Sequence, residues 1–245
     1  GGKIMLSEKY LTLLKNEAKK YNIELSEEKQ NKFSMYADLL VKWNEKINLT
    51  AITDEEGITI KHFLDSLSIF SAMPENIKTV IDVGTGAGFP GIPMKIADDD
   101  LKVTLLDSLA KRVNFLNEVC DALSLKNIRA FHGRAEDFGA DKNYREQFDI
   151  ATARAVAALP VLLEYCLPFV KVGGYFIAMK GPDVDEELKE SKKALIVLGG
   201  EIIDVKKFML YNSDNERCIV MIKKYRHTPP KYPRKSGKPT KSPIK

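Results

Sequence analysis

The chain of 245 residues has few side chains that form cross-links or hold metal ions, with only three cysteines and three histidines. Cys120, Cys166 and Cys218 lie far apart, and no two of them form a C-x-x-C motif. An odd number of isolated cysteines argues against a disulfide framework and against a zinc site. We therefore expect reduced cysteines in the core and no bound metal.

Long apolar runs are also missing. No stretch reaches the uninterrupted length of about 20 residues that a membrane span needs. The first residues lack the basic, apolar and small-residue regions of a secretory signal. These absences lead us to expect a cytoplasmic protein that does not enter a membrane.

Acidic residues are absent from the C-terminal end. Residues 223–245 hold nine Lys and Arg and no Asp or Glu, whereas 29 cations and 34 acids precede them. Five of the eleven prolines lie in the same stretch, which predicts an extended rather than a continuously helical tail. Cations spaced along an extended chain can bind phosphates, and the tyrosines of the tail can stack on bases. We therefore predict that the tail contacts nucleic acid. The alternative is a solvated, disordered terminus.

Glycine is concentrated in one loop. The sequence DVGTGAGFPG at residues 82–91 follows an apolar run and precedes an amphipathic stretch, an order typical of a strand, a nucleotide-cofactor loop and a helix. Residues 86–91 fit the dinucleotide pattern G-x-G-x-x-G. Asp82 favours S-adenosylmethionine instead, because a carboxylate suits an ammonium and a sulfonium but repels a pyrophosphate. A tight turn without a ligand is the third interpretation.

The ends of the next two predicted strands offer further cofactor contacts. Asp107 ends the second strand, where a carboxylate accepts hydrogen bonds from ribose hydroxyls of either cofactor. The third strand is followed by GRAED at residues 133–137, whose acid and amide groups are placed to meet an adenine edge. The candidate cofactor contacts are Asp82, Gly84, Gly86, Gly88, Phe89, Asp107, Ala135, Glu136 and Arg154.

Seven β-rich runs alternate with helical stretches, which predicts an α/β fold with a mostly parallel sheet. The runs lie at residues 79–83, 102–107, 128–132, 148–153, 174–179, 201–207 and 217–224. The last two flank a polar turn and should pair antiparallel. Helical spacing before the sheet, with Ser26 opening one helix and a capping box TDEE at residues 53–56 opening another, predicts a helical layer. We thus predict a helical extension at residues 1–77, a core at 78–225 and a basic tail at 226–245.

These motifs together resemble the small-subunit ribosomal RNA guanine-N7 methyltransferases, formerly called glucose-inhibited division protein B, over nearly the whole chain. The matching segments are WN at 43–44, NLT at 48–50, HFLDS at 62–66, DVGTGAGFPG at 82–91, DS at 107–108, KR at 111–112, GRAE at 133–136, ATARA at 151–155, MKG at 179–181 and YPRK at 232–235, followed by Gly237, Pro239 and Lys241.

The resemblance implies a Rossmann-like class I methyltransferase fold that uses S-adenosylmethionine. It implies that Gly84 and Phe89 contact the cofactor, that residues 135–136 flank its adenine and that Arg154 lies at its edge. It also implies a reaction at N7 of one guanine, of the position-527 type in the decoding-region loop, in 16S rRNA of the small ribosomal subunit.

The residue types agree with this chemistry. Methylation of cytosine C5 needs a cysteine beside the end of strand four or strand five, and we expect none there. The Asn/Asp-Pro-Pro-aromatic cluster that methylation of an exocyclic amine uses after strand four is replaced by ATAR at residues 151–154. Guanine N7 already has an in-plane lone pair, so the enzyme needs only to align the base with the methyl group of the cofactor. We therefore expect no general base. Arg154 and Lys180 are the candidates that position the base at O6. Alternatively, both are strand-end cations that pair with Asp149 and Asp183.

Contacts with 16S rRNA in the small subunit are expected from cations outside the cofactor loop. The candidates are Lys111, Arg112, Lys180, Tyr232, Arg234, Lys235, Lys238 and Lys241. His62 and Asp65 lie in the predicted helical layer and could face the same cleft, although for His62 we favour a hydrogen bond to a helix end. We expect a monomer with no obligate protein partner. Alternatives are an NAD-linked oxidoreductase, a non-catalytic ribosome-assembly protein that kept the cofactor fold, and a methyltransferase for another acceptor.

Overall fold

A seven-stranded sheet forms the centre of the protein in the computed structural model, which describes residues 6–154 and 156–245. The strands in chain order are β1 (Thr79–Val83), β2 (Lys102–Asp107), β3 (Ile128–His132), β4 (Phe148–Arg154), β5 (Val170–Lys180), β6 (Gly200–Met209) and β7 (Glu216–Lys224). All seven coincide with the β-rich runs of the sequence, although β5 begins four residues earlier than predicted.

The sheet order is β3-β2-β1-β4-β5-β7-β6. Strands β1 to β5 are parallel, and β7 runs antiparallel to both β5 and β6. The predicted antiparallel pair is therefore confirmed. The chain order reverses between β1 and β4, and such switch points at the carboxyl ends of parallel strands are where α/β proteins bind ligands.

Fifteen short and long helical segments surround the sheet in the described part of the chain. The α-helices are α1 (Glu8–Ala18), α2 (Glu27–Asn44), α3 (Glu55–Gly57), α4 (Asp65–Leu67), α5 (Gly91–Ala97), α6 (Ala110–Ala122), α7 (Ala135–Ala140), α8 (Leu159–Cys166), α9 (Asp185–Glu190), α10 (Lys192–Leu198) and α11 (Lys238–Lys241). A π-helical turn at Ile58–Leu64 and 3₁₀ turns at Lys19–Tyr21, Ser68–Ser71 and Leu167–Phe169 complete them. None of these helices is both long and apolar enough to cross a membrane.

Two predicted helix starts in the N-terminal layer can be compared with the structure. The Ser26 hydroxyl accepts a hydrogen bond from the Lys29 amide at 3.2 Å, as an N-cap does. The cap of α3 is Asp54 rather than Thr53, since the Asp54 carboxylate accepts from the Gly57 amide at 2.9 Å. The helix therefore begins as predicted, but its N-cap lies one residue later than the predicted capping box.

Each face of the sheet has its own apolar core. One face is covered by the N-terminal helices together with α5 and α6, and the other by α8, α10 and the C-terminal segment. Cys120, Cys166 and Cys218 are buried and unpaired, as the sequence predicts. The N-terminal layer packs on α5 and α6, and it thereby reaches the carboxyl end of β1.

The C-terminal tail is docked on the protein. The Arg145 guanidinium donates hydrogen bonds to the carbonyls of Thr228, Pro229 and Tyr232 at 2.6 to 3.1 Å. The tail contains the four-residue helix α11, so it is neither continuously helical nor extended along its whole length. Satisfied backbone carbonyls and a packed apolar surface hold this segment in place.

An ion pair fixes the middle of the tail. Glu164 on α8 is only 1% exposed, and its carboxylate accepts from the Arg234 guanidinium at 2.7 to 3.2 Å and from the Arg234 backbone amide at 2.7 Å. This bond also raises the pKa of Arg234. Arg234, which the sequence suggested for RNA phosphate, is thus already engaged by a buried carboxylate.

Replacing Arg234 tests this anchor. We expect Arg234→Ala to lower the free energy of unfolding by about 3 kcal/mol, because it leaves the buried Glu164 carboxylate unpaired. The neighbouring Lys235 is exposed, and Lys235→Ala should change stability by less than about 0.5 kcal/mol. Urea unfolding measures both. Equal stabilities of the two variants would show that the ion pair does not anchor the tail.

Candidate functional site

The glycine-rich loop joins β1 to α5 in a conformation that requires glycine. Gly84, Gly86 and Gly88 have φ angles of 67°, 60° and 103°, which side chains rarely adopt. The loop is fixed to the next strand, because the amides of Gly84 and Thr85 both donate to the Leu106 carbonyl. A Cβ on Gly86 would extend into open space, so this position leaves a bare backbone facing a cavity.

Asp82 at the end of β1 organises the loop from below. Its fully buried carboxylate accepts hydrogen bonds from the Thr85 hydroxyl at 2.7 Å and the Gly91 amide at 2.8 Å, both at Oδ2. Its Oδ1 atom has no partner among the described residues. Burial raises the pKa of Asp82 to about 7.

The expected direct contact of Asp82 with the cofactor stays a prediction. Asp82 lines none of the cavities at this edge of the sheet. It acts on the loop instead, because its strand position points the carboxylate at the backbone of residues 85–91.

Asp107 at the end of β2 lies beside the loop, as predicted. Its Oδ2 accepts from the Gly86 amide at 2.8 Å, and its Oδ1 accepts from the Leu109 amide at 3.0 Å. The Arg112 guanidinium lies 3.6 Å from Oδ1. Asp107 therefore stays at the loop in a fixed orientation, with lone pairs left to accept further hydrogen bonds.

Two adjoining cavities open around these groups. The strand-end cavity measures about 250 Å³, and the loop cavity about 430 Å³. The strand-end cavity is lined by Val83, Gly84, Leu106, Asp107, Ser108, Gly133, Arg134, Ala135, Glu136, Val156, Ala157, Tyr165 and Thr240. The loop cavity is lined by Leu49, His62, Gly84, Thr85, Gly86, Ala87, Phe89, Asp107, Ser108, Arg112, Arg154 and Val156.

Most of the predicted cofactor residues meet at these two cavities. Gly84, Asp107, Ser108 and Val156 line both cavities, so the two spaces adjoin at these residues. Gly88 lines neither, and a Cβ there would run into Tyr36 and Ile92, so this glycine serves loop packing. Asp107 lines both cavities, whereas residues 85–87 of the loop line only the loop cavity and residues 133–136 only the strand-end cavity.

Arg154 at the end of β4 is the centre of a polar network. It donates to the Asp65 carboxylate at 3.2 Å and to His62 Nδ1 at 3.0 Å, and its guanidinium lies 4.9 Å from the centre of the Phe89 ring. The pairing of Arg154 with Asp149 that the sequence left open does not occur, because Asp149 pairs with Lys171.

His62 takes part in the site rather than in a helix end, which corrects the sequence interpretation. Its ring stacks on Phe89 with centroids 4.4 Å apart, and Nε2 lies 2.8 Å from the Thr50 hydroxyl. Burial and the neighbouring Arg154 lower the pKa of His62 to about 3. The imidazole is therefore neutral at physiological pH. Because Nδ1 accepts from Arg154, Nε2 carries the hydrogen and donates to Thr50.

A third space, the arginine cavity, adjoins the loop cavity at His62 and Arg154. It measures about 350 Å³ and is lined by Ile52, Lys61, His62, Asp65, Arg154, Met179, Lys180, Gly181, Phe208, Arg217, Cys218 and Ile219. Cationic, anionic and apolar groups thus surround one space, a composition typical of a small-molecule or base-binding pocket.

Two residues of the arginine cavity were missed by sequence reasoning. Arg217 is the second residue of β7, and its Nε lies 3.5 Å from the Asp65 carboxylate. Cys218 pairs with Lys180 in the sheet, so the antiparallel β7 brings a cysteine beside the end of β5. The expectation that no cysteine sits there is wrong. Burial raises the pKa of the Cys218 thiol, which keeps it protonated at neutral pH.

Lys180 at the end of β5 is held by two acceptors. Its ammonium donates to the Ala157 carbonyl at 2.8 Å and lies 3.0 Å from Glu187. The partner acid is therefore Glu187 on α9 and not Asp183. With two acceptors engaged, Lys180 presents a fixed positive charge at the wall of the arginine cavity.

The cations suggested for RNA lie at different places. Lys111 and Arg112 are in the first turn of α6, next to the loop cavity, while Lys235, Lys238 and Lys241 are exposed on the tail. Tyr232 is half-buried against the core. No group of three or more His, Cys, Asp and Glu in residues 6–154 and 156–245 is arranged to hold a metal ion.

The buried charge of Asp82 gives a testable dependence on pH. A folded protein with an Asp82 pKa near 7 keeps a proton that the unfolded chain releases at about pH 4, so this group lowers stability as the pH rises through that interval. Asp82→Asn retains an acceptor for Thr85 and Gly91 and has no proton to lose. We expect the free energy of unfolding of the variant, relative to the parent protein, to increase from about pH 5 to pH 8.

The matched control is Asp121→Asn on the exposed surface of α6, which should show no such trend. Urea unfolding across the pH series measures all three proteins. Parallel stability curves for Asp82→Asn and the parent protein would contradict the assigned pKa.

Comparison with known proteins identifies the fold and then the family. A precorrin-6y C5,15-methyltransferase of Geobacter metallireducens is similar in structure, with a TM-score of 0.50 and 12% identity over 73% of this chain and 92% of that one. At this identity the likeness concerns the fold alone, and it agrees with the predicted Rossmann-like class I methyltransferase fold.

Sequence similarity is much closer. The ribosomal RNA small subunit methyltransferase G of Acetivibrio thermocellus is 58% identical over 232 residues, which is 95% of this chain and 96% of that protein. The protein of the same name from Alkaliphilus oremlandii is 55% identical over 234 residues, which is 95% of this chain and 98% of that protein. The family described as rRNA small subunit methyltransferase G matches residues 29–217, and the chain belongs to this family.

Proposed function

We propose that the protein transfers a methyl group from S-adenosylmethionine to N7 of a guanine in 16S rRNA of the small ribosomal subunit, at the position-527 type site of the decoding-region loop. The observation that carries this proposal is the junction of two cavities at His62 and Arg154. One cavity contains the glycine-rich loop, and the other has the size and polarity for a base. A donor and an acceptor bound in the two would meet at this junction.

The residues of the first two cavities fit the cofactor. Gly86 exposes bare backbone to the loop cavity, and Asp107 has lone pairs free for ribose hydroxyls. Ala135 and Glu136 line the far end of the strand-end cavity, where an adenine would lie. When bound, S-adenosylmethionine supplies an electrophilic methyl group on a sulfonium. The protein orients it and excludes water.

The arginine cavity is the proposed site of the guanine. Guanine carries the acceptors O6 and N7 on one edge, and a cation beside O6 would orient that edge. Arg154 is held by Asp65 and His62, and Lys180 by Ala157 and Glu187, so each presents its charge in a fixed direction. Fixed direction matters because alignment of acceptor and methyl group provides most of the acceleration in such a transfer.

No general base is required for this reaction, and the cavity residues agree. N7 of guanine has a lone pair in the ring plane and loses no proton when it is methylated. The neutral His62 has Nδ1 blocked by Arg154 and carries its hydrogen on Nε2, so it has no site for a proton. Cys218 is protonated and nearly fully buried, which argues against a thiolate attack on a pyrimidine carbon.

RNA would approach over the cations near these cavities, of which Arg112 is half-buried beside Asp107 and the others are exposed. Lys111 and Arg112 lie beside the loop cavity, and Lys235, Lys238 and Lys241 lie along the tail. Positive side chains at both places suit a phosphate backbone that crosses the mouth of the site. The expectation of a monomer without an obligate protein partner stays a prediction.

The reaction is tested by incubating the protein with methyl-labelled S-adenosylmethionine and undermethylated small ribosomal subunits, followed by nuclease digestion and mass spectrometry of nucleosides. We expect label in 7-methylguanosine at one position. Label in another nucleoside would contradict the N7 assignment. No label, when calorimetry shows that the cofactor binds, would contradict the proposed reaction. Asp107→Ala is the matched control and should lose cofactor binding and label together.

Cys218 separates N7 chemistry from covalent catalysis. We expect Cys218→Ala to keep its methylation rate within about twofold, because the thiol forms no bond in a transfer to N7. Arg154→Ala should lose more than about tenfold in rate, since it removes a positioning cation. Single-turnover methylation measures both. A Cys218→Ala variant that folds but transfers no methyl group would overturn the mechanism without a nucleophile.

A further inference from the structure

The C-terminal segment at residues 237–241 forms part of the strand-end cavity. Thr240 lines this cavity together with Asp107 and Glu136, although it lies more than a hundred residues later in the chain. The Thr240 and Tyr165 hydroxyls are hydrogen-bonded at 2.8 Å, and the Gly237 amide donates to Glu136 Oε2 at 2.9 Å. Both bonds join the segment to residues that surround the same space.

The segment is anchored on each side of these contacts. Arg234 precedes it and binds the buried Glu164, whereas Ile244 follows it and is buried in the core next to α8. Pro239 is also buried. The position of Thr240 at the cavity is therefore fixed by contacts on both sides of it in the chain.

The adenine end of the cofactor is assigned to this cavity by the groups around Asp107. A carboxylate at the end of β2 suits the ribose hydroxyls, and residues 133–136 lie beyond it on the side away from the glycine-rich loop. The loop cavity on the other side adjoins Arg154, where methyl transfer is proposed. The adenine moiety thus comes to the end that Thr240 covers.

We infer that residues 237–241 are a wall of the cofactor site that closes over the adenine moiety, and that cofactor binding and docking of the basic tail are coupled. The ligand of this wall is an adenine nucleoside. The same segment carries Lys238 and Lys241, and Lys235 directly precedes it, all three exposed. Such coupling is reciprocal. The factor by which bound cofactor increases the affinity for RNA equals the factor by which bound RNA increases the affinity for the cofactor.

Charge adds a physical reason for the coupling. Undocking the segment takes the Gly237 amide from Glu136 and the Arg234 guanidinium from Glu164, which leaves two buried or nearly buried carboxylates without these partners. It also removes one side of the cavity. A ligand that needs the closed cavity therefore binds the docked state selectively and shifts the population toward it.

The wall is tested by calorimetry with S-adenosylhomocysteine and with adenosine. Thr240→Trp places a large side chain in the cavity, and we expect both ligands to bind at least about tenfold more weakly. Ser236→Trp is the matched control, because Ser236 is exposed outside the cavity lining. Thermal unfolding verifies that both variants fold. Unchanged affinity for both ligands in a folded Thr240→Trp variant would contradict the proposal that residues 237–241 form a wall of the cofactor site.

The coupling is tested by limited trypsin digestion of the full-length protein. We expect cleavage after Lys235 and Lys241 to slow about tenfold when S-adenosylhomocysteine is present at ten times its Kd, because the ligand holds the segment closed. Cleavage after the exposed Lys20, in the N-terminal helical layer, should not change. Equal cleavage rates after Lys235 and Lys241 with and without ligand would overturn the coupling.

RNA affinity completes the test, and this arm alone rests on the proposed function. Binding of a 16S rRNA transcript should tighten in the presence of S-adenosylhomocysteine and lose this dependence in Thr240→Trp. An RNA affinity that is the same with and without S-adenosylhomocysteine would contradict the coupling between residues 237–241 and RNA binding. Absence of 7-methylguanosine in the methylation assay would instead contradict the proposed function, and it would leave the calorimetry and digestion results unaltered.

Discussion

The buried carboxylate of Asp82 is the constraint on which the rest of the site depends. By accepting from the Thr85 hydroxyl and the Gly91 amide, it joins the end of β1 to the start of α5 and sets the shape of the loop between them. The loop then places the Gly86 amide against Asp107 and the Phe89 ring against His62. A buried charge with few partners is costly, and the raised pKa of Asp82 shows that cost. The same loop is also held by the bond of the Gly86 amide with Asp107 and by the bonds of Gly84 and Thr85 with the Leu106 carbonyl.

Arg154 lies between the proposed cofactor site and the proposed guanine site. It borders both the loop cavity and the arginine cavity, and its hydrogen bonds reach His62 and Asp65 in the N-terminal helical layer. The helical layer is therefore part of the site and not an appendage. Neutral His62 is a consequence of the same arrangement, because a second positive charge beside Arg154 in a buried place would be strongly unfavourable.

The tail combines two roles that the sequence presented as one. Its basic composition indicated nucleic acid, and exposed lysines remain available for that role. Its other residues are committed to the fold, through the ion pair of Arg234 with Glu164 and the bond of Gly237 with Glu136. A segment that both closes a cofactor cavity and carries cations can relate the state of one ligand to the binding of the other.

The amino-acid sequence was enough to predict the seven strands, the glycine-rich loop and the place of Asp107, because hydrophobic period and glycine spacing are local signals. It also determined the family, through motifs spread along the chain. The folded structure, and not the sequence pattern, shows that Asp82 faces the loop backbone, that Arg154 pairs with Asp65 and that Arg234 pairs with Glu164. It likewise brought Cys218 and Thr240 to cavities built from distant strands. Apart from the contacts of Asp82 with its own loop, these contacts join residues that are distant in the chain, and the sheet order, the antiparallel β7 and the docked tail bring them together.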